Sequence, residues 1–526
     1  MTGSLLGDAL VAPGPDDAGL SPVLSMVAVL LVTTATVAIA ALGLRLSRTT
    51  SDFYVAGRAV SPGWNASAIS GEYLSAASFL GVAGLVLVSG TDMLWFPVGY
   101  TAGYLVLLVL VAAPLRRSGA YTLPDFAEAR LESAGVRVAA SLLVVGIGWL
   151  YLLPQLQGAG LALRAVTGAP RWVGGLVVAV VVLLNVVGGG MRSITFVQAF
   201  QYWLKLTAIA LPIFFLLLVW YGDGSPSPAG PNGGQWVTPL SGAGGRDHPL
   251  YSTYSIVLAL FFGTMGLPHV LVRFYTNPDG RGARRTTLVV IALLGAFYLF
   301  PPVYGALGRV YAPDLLDAGR ADTVVLLLPS RIVPGLLGEL LSALTTAGAF
   351  AAFLSTSSGL VMSIAGVLHQ DLRRRRTGTT RLDTLRGFRS ATALAVAVPL
   401  ALSFISGRLS LADTVGLAFA VAASTFCPLL VLGIWWRRLT RTGALAGLAV
   451  GGTLASTAVV VTMLGAAGDG WAGALLAQPA AWTVPVAFAV MITVSLATPQ
   501  ALPANVSRTL VRLHTPEEVA VDRRAT

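Results

Sequence analysis

Apolar residues along this chain come in uninterrupted blocks of roughly twenty to thirty, set apart by short polar or glycine-rich connections. A helix rises about 1.5 Å per residue, so blocks of that length predict spans of about 30 Å of hydrocarbon. The pattern gives about thirteen spans. They fall at roughly 22–46, 63–89, 93–115, 136–165, 172–189, 194–221, 251–275, 286–308, 335–369, 389–405, 412–434, 443–464 and 481–498. Most connections are too short to hide a soluble domain. The longest, about 222–249, is rich in Gly, Pro and Ser and reads as a linker. The polar stretch at about 505–526 reads as a loose tail.

Three spans depart from the apolar pattern. The second is small and polar in its middle, through Ser70-Gly-Glu-Tyr-Leu-Ser75. The seventh is interrupted at Phe262-Gly-Thr-Met-Gly-Leu-Pro-His269. The ninth carries four successive hydroxyls, Ser355, Thr356, Ser357 and Ser358. On a helix Ala352, Ser355 and Thr356 share one face. Two hydroxyls and the spare lone pair of the Ala352 carbonyl then make a patch of neutral oxygens at membrane depth. Such oxygens suit a hard monovalent cation, whereas a divalent ion recruits carboxylates. Close helix packing is the competing account of the same small residues.

Spans two and seven each open a group of five. Matching interruptions in two halves point to an inverted repeat with its binding site at the midplane. A broken helix in lipid frees carbonyls for cations and N–H groups for anions. Gly71 and Leu74 bracket the expected unwound turn, and their carbonyls complete a set of five neutral oxygens with Ala352, Ser355 and Thr356. Glu72 lies in the same turn. It reads either as a functional group or as a bundle hydrogen bond or ion pair, with Lys205 a candidate partner.

A hydrophobic share of 55 % against 11 % charged residues, with mean hydropathy +0.77, describes a polytopic membrane protein. The net charge of +11 is not a nucleic-acid footprint, because 26 of the 34 basic residues fall on one alternate set of loops and tails. That asymmetry places the N-terminus outside and the C-terminus in the cytoplasm of a cell-membrane protein. The first residues show no basic start or short apolar stretch of a cleaved signal. One Cys and four scattered His offer neither disulfide nor metal framework. With no nucleophile elbow or phosphate loop, the chain reads as a transporter rather than an enzyme. A transporter-like membrane sensor is the other reading, and no soluble signalling region supports it. No obligate protein partner is evident; the expected partners are a small solute, a cation and the lipid bilayer.

At these residues the chain resembles the sodium:solute symporter family, over nearly its whole length from Ser51-Asp-Phe-Tyr-Val-Ala-Gly-Arg58 to Trp435-Trp436. The stretches Gly71–Gly81, Gly189–Arg192, Gly263–Phe274 and Phe350–Gly359 are most similar to its cation/acetate, or monocarboxylate, permease branch. Two positions differ: Glu72 stands where that branch usually has Asp, and Leu74 where it has Met. The resemblance implies an all-α fold with a LeuT-type 5+5 inverted-repeat core, one helix before it and two after. The organisation then expected is 1–62 for the external N-terminus, first helix and cytoplasmic loop, 63–221 and 251–434 for the two repeats, 222–250 for the external loop, 435–498 for two further helices and 499–526 for the tail. It also implies Na+ as coupling ion, held by the carbonyls of Gly71, Leu74 and Ala352 and the hydroxyls of Ser355 and Thr356, and no other cofactor.

The activity implied is sodium-coupled uptake of a small monocarboxylate such as acetate, propionate or pyruvate. Proline or another amino acid, or a sugar, is the alternative substrate, and a proton the alternative driver. The substrate carboxylate is expected at freed amides near Leu74 to Ser78, through Ser75, Ala76 and Ser78, with Glu72, Gln157, Thr264 and Gly266 as further candidate neighbours. Phe262 and Met265 are expected as an apolar wall. Lys205, His269 and Arg273 are expected in coupling or gating, with His269 and Arg273 placed towards the cytoplasmic end of span seven.

Overall fold

The structure, a computed structural model, describes residues 21–44, 60–229, 234–243, 245, 247–317, 320–374, 381–404 and 409–519. The Ser51–Arg58 stretch, most of the N-terminal segment, Arg375–Arg376 and the end of the tail lie outside the described residues. Every regular element among the described residues is helical.

The elements that position the site are α1 (Pro22–Leu44), α2 (Pro62–Tyr73), α3 (Val82–Ser89), α4 (Trp95–Leu110), α5 (Ala134–Thr167), α6 (Arg171–Gly222), α7 (Pro249–Thr264) and α8 (Pro268–Phe274). They continue as α9 (Gly280–Tyr298), α10 (Pro301–Tyr311), α11 (Val324–Ile332), α12 (Gly335–Arg374), α13 (Arg381–Ser403), α14 (Leu411–Trp435), α15 (Arg441–Met463) and α16 (Ala480–Ala497). α6 is two helices joined at Gly190, whose φ of 61° only glycine adopts cheaply. It falls between the spans expected at 172–189 and 194–221.

Among the described residues, 11 helical stretches are long and apolar enough to cross a membrane, not the thirteen expected. The difference has two physical sources. The first half of span two, α2, is only 12 residues long and polar, so the second half, beyond the break, runs with span three as one stretch, Ala77–Leu110. The segment of span ten, α13, brings Arg386 and Arg389 into its length and is not among the eleven.

α12 lies at the centre, packed on α6, α5, α1 and α2. Large apolar side chains left exposed, such as Leu31, Leu142, Leu184, Phe214 and Leu218, sit on the outer helices. In a membrane protein that outward surface meets lipid tails, which are as apolar as the side chains themselves.

Candidate functional site

Both interrupted spans are broken. α2 stops at Tyr73, and Leu74 turns extended, with φ −72° and ψ 90°. The chain resumes as a π-helical turn, Ala77–Gly81, that runs into α3. Wide turns of this kind free backbone groups inside a span. The Ala76 N–H, exposed by the break, donates to Oε1 of Gln155 on α5 at 2.9 Å. In the second half α7 stops at Thr264, and Met265, Gly266 and an extended Leu267 precede Pro268, which opens α8. Proline there forfeits only an N–H that no helical carbonyl would have taken. Gly266 is required by proximity: a Cβ would come within 2.5 Å of the Ala422 carbonyl of α14.

The breaks touch. The Tyr73 hydroxyl lies 2.9 Å from Thr264 Oγ1 and donates to the Tyr100 carbonyl at 3.2 Å. Around this junction stand Tyr100 and Tyr104 of α4, Tyr151 of α5, Tyr298 of α9 and Phe419 of α14, with ring centroids about 5–6 Å apart. Tyr298 holds the Ser78 hydroxyl at 2.8 Å. Ser75 is buried next to the Tyr151 hydroxyl. The Tyr100 and Tyr104 hydroxyls and both ring nitrogens of His269 are buried with no hydrogen-bond partner among the described residues. Buried polar atoms are nearly always paired, so a set left open marks a place prepared for something polar.

Gly71, Leu74, Ala352, Ser355 and Thr356 do come together, and Lys205 sits among them. Its ammonium donates to the Gly71 carbonyl, to the Leu74 carbonyl at 2.7 Å and to Ser355 Oγ at 2.6 Å. Ser355 Oγ in turn donates to the Ala352 carbonyl at 3.1 Å, and Thr356 Oγ1 to the Glu72 carbonyl at 2.6 Å. Gly71 permits this closeness, since a Cβ there would collide with the Gln198 carbonyl of α6.

Glu72 pairs with Arg273 rather than with Lys205. Arg273 Nε donates to its Oε2 at 2.6 Å, and both side chains are buried. The same guanidinium reaches Thr195 Oγ1 at 2.8 Å and Gln198 Oε1. Glu72 is thus engaged in an ion pair tying α2 to α8.

The structure places three further expected residues. His269 is the second residue of α8, after the break and in the last part of Pro249–Phe274, edge-on to Tyr151 at 5.2 Å. Gln157 is half-buried, and Gln155, nearly opposite it on the same helix, reaches the first break. Phe262 is half-buried, packed against both the main core and the small cluster with Ala420 and Val484, while Met265 is buried at the second break. Ser75, Ala76, Ser78, Thr264 and Gly266 all lie at the two breaks.

Sequence reasoning missed Gln155 in this role, Gln198 and the tyrosine ring. Tyr100 and Tyr104 carried a signal, being polar-tipped residues one turn apart inside a span. Gln198 carried one too, as an amide deep in span six.

These broken helices belong to a membrane transporter built on the LeuT-type fold. The chain itself belongs to the sodium:solute symporter family, whose model matches residues 53–451. It is 33% identical over 461 residues to "Uncharacterized symporter YwcA" of Bacillus subtilis (strain 168), covering 84% of this chain and 88% of that protein. Its fold is similar to that of a Na+-coupled sialic acid symporter in a substrate-bound outward-open state, with TM-score 0.67 at 16% identity, covering 89% of this chain and 98% of the other. MHP1, a nucleobase-cation-symport-1 family transporter in a closed conformation with bromovinylhydantoin bound, is similar at TM-score 0.51 and 14% identity, over 88% of this chain and 99% of its own.

Proposed function

We propose that this symporter takes up a small monocarboxylate, such as acetate, propionate or pyruvate, together with sodium by alternating access, with its N-terminus outside and its C-terminus in the cytoplasm. The observation that carries the reading is the meeting of the two breaks at Tyr73 and Thr264, with buried tyrosine hydroxyls around it that have no partner among the described residues. The sodium seat is the set Gly71, Leu74, Ala352, Ser355 and Thr356. The carboxylate end of the substrate meets the freed amide region at Ser75–Ser78, with the Tyr100 and Tyr104 hydroxyls, Thr264 and His269 around it. The buried Met265 and Phe419 supply the apolar wall for a short alkyl tail.

Family membership supports sodium coupling, and the resemblance of the Gly71–Gly81 and Phe350–Gly359 stretches to monocarboxylate permeases supports the substrate class. Sodium at its seat would fix the unwound turn that also presents the amides, which makes the coupling positive and reciprocal.

The test is uptake by proteoliposomes under an inward sodium gradient with labelled acetate, propionate, pyruvate, proline and glucose, repeated with a proton gradient. Accumulation of the short acids with sodium is expected. Uptake of proline or glucose but of no acid overturns the substrate class. Equal uptake without sodium overturns the coupling ion.

A further inference from the structure

The basic residues of this chain number 34, and 33 of them are Arg. The single Lys, Lys205, is fully buried in α6 and points its ammonium between α2 and α12. An ammonium is a compact charge with three donors, whereas a guanidinium is a planar fork. All three donors have an acceptor here: Gly71 O, Leu74 O and Ser355 Oγ. Those are three of the five oxygens assigned to sodium. Of the rest, Ala352 O is tied to the Ser355 hydroxyl and Thr356 Oγ1 to the Glu72 carbonyl.

Neutral oxygens that draw in one small monovalent cation draw in another. A sodium ion lodged against Gly71 O, Leu74 O and Ser355 Oγ would stand on the ammonium itself. The nearby carboxylate does not offset a second charge, because Glu72 already pairs with Arg273 at 2.6 Å. The other groups facing the ammonium, Ser355 and the backbone of α2, carry no formal charge. The seat holds one cation at a time.

We propose that Lys205 is a tethered cation that competes with sodium for the seat formed by Gly71, Leu74 and Ser355. This rests on the sodium reading of those oxygens. Sodium enters only as the lysine side chain withdraws, so Lys205 sets how much sodium the site needs. It also keeps the unwound turn of α2 fastened to α12 when sodium is absent. A lysine serving only to fasten the helices would leave sodium binding unchanged or weaker on its removal. Competition makes the opposite prediction.

The experiment uses the full chain purified in detergent. Sodium is titrated against choline at constant ionic strength, and thermal unfolding is followed. Lys205→Met removes the charge, and Lys205→Gln removes it while keeping a hydrogen-bonding group, in case the first variant is poorly folded. Each is expected to lower the half-saturating sodium concentration by about tenfold or more relative to the unsubstituted chain. Adding Ser355→Ala to either variant is expected to reverse the gain. A sodium response gained by the variants where the unsubstituted chain has none supports the proposal equally. Variants with a sodium midpoint within about twofold of the unsubstituted chain, or a gain that survives Ser355→Ala, overturn it. Failure of the unsubstituted chain to take up any acid would overturn the transport reading instead, and the sodium titration would still decide the role of Lys205.

Discussion

The Glu72–Arg273 pair shows how much a single buried contact carries. Both side chains are 1% exposed, and the guanidinium fans out to Thr195 and Gln198 of α6 as well. Removing one partner strands a charge in a medium that cannot solvate it, at a cost of about 3–5 kcal/mol. Arg273→Ala is therefore expected to lower the thermal unfolding midpoint and the yield of monodisperse protein. The double change Glu72→Gln with Arg273→Met, which leaves no orphan charge, should recover most of the loss. Unfolding midpoints of the three proteins check this; equal midpoints for Arg273→Ala and the unsubstituted chain would show that the pair does not hold α2 to α8. The residue types at this site were legible in the sequence, but their pairings were not. Glu72, Lys205 and Arg273 are far apart in sequence, and which cation meets the carboxylate depends on how α6 and α8 rotate against α2. Gln155 and Gln157 could not be told apart without that same rotation. Lys205 was harder still, since its partners are two carbonyls and a hydroxyl, and carbonyls leave no trace in a sequence.

At the scale of elements the breaks were readable because glycine and proline, or a polar middle, interrupt otherwise apolar blocks. The π-helical turn Ala77–Gly81 was not, since no residue type marks it. Loop contacts were equally silent. Asp322, in a short 3-10 turn (Ala321–Thr323) between α10 and α11, is half-buried and accepts from the Leu411 N–H at 3.1 Å, holding the start of α14. Burial pushes its carboxyl up to about 6; the Leu411 N–H works against that shift and the Asp413 charge adds to it. The folded state thus holds this proton more tightly than the unfolded chain does. Stability from this group is fully present below its unfolded value of 3.8 and is lost as pH rises through about 6. The unfolding midpoint should fall between pH 4 and pH 6.5, and Asp322→Asn, which cannot ionise, should flatten that part of the profile. A slope unchanged by Asp322→Asn would assign it to another group.

Across the whole molecule, the proposed single seat for one cation would fix the electrical character of transport. Gly71, Leu74 and Ser355 gather neutral oxygens at the first break, and Lys205 already rests among them. One sodium moving inward with one monocarboxylate carries no net charge. The lysine is tethered, so its side chain adds none to the cycle beyond a local displacement. A net inward charge would gain about 2.3 kcal/mol per 100 mV, equivalent to about fifty-fold in accumulation. The single-seat arrangement predicts that none of this appears. Proteoliposomes holding the same sodium gradient, clamped by a potassium diffusion potential at 0 or at −100 mV inside, should accumulate the labelled acid to the same extent. Accumulation that rises steeply at the negative potential would mean that a second cation crosses with each substrate. The seat at Gly71, Leu74 and Ser355 would then be only part of the ion path.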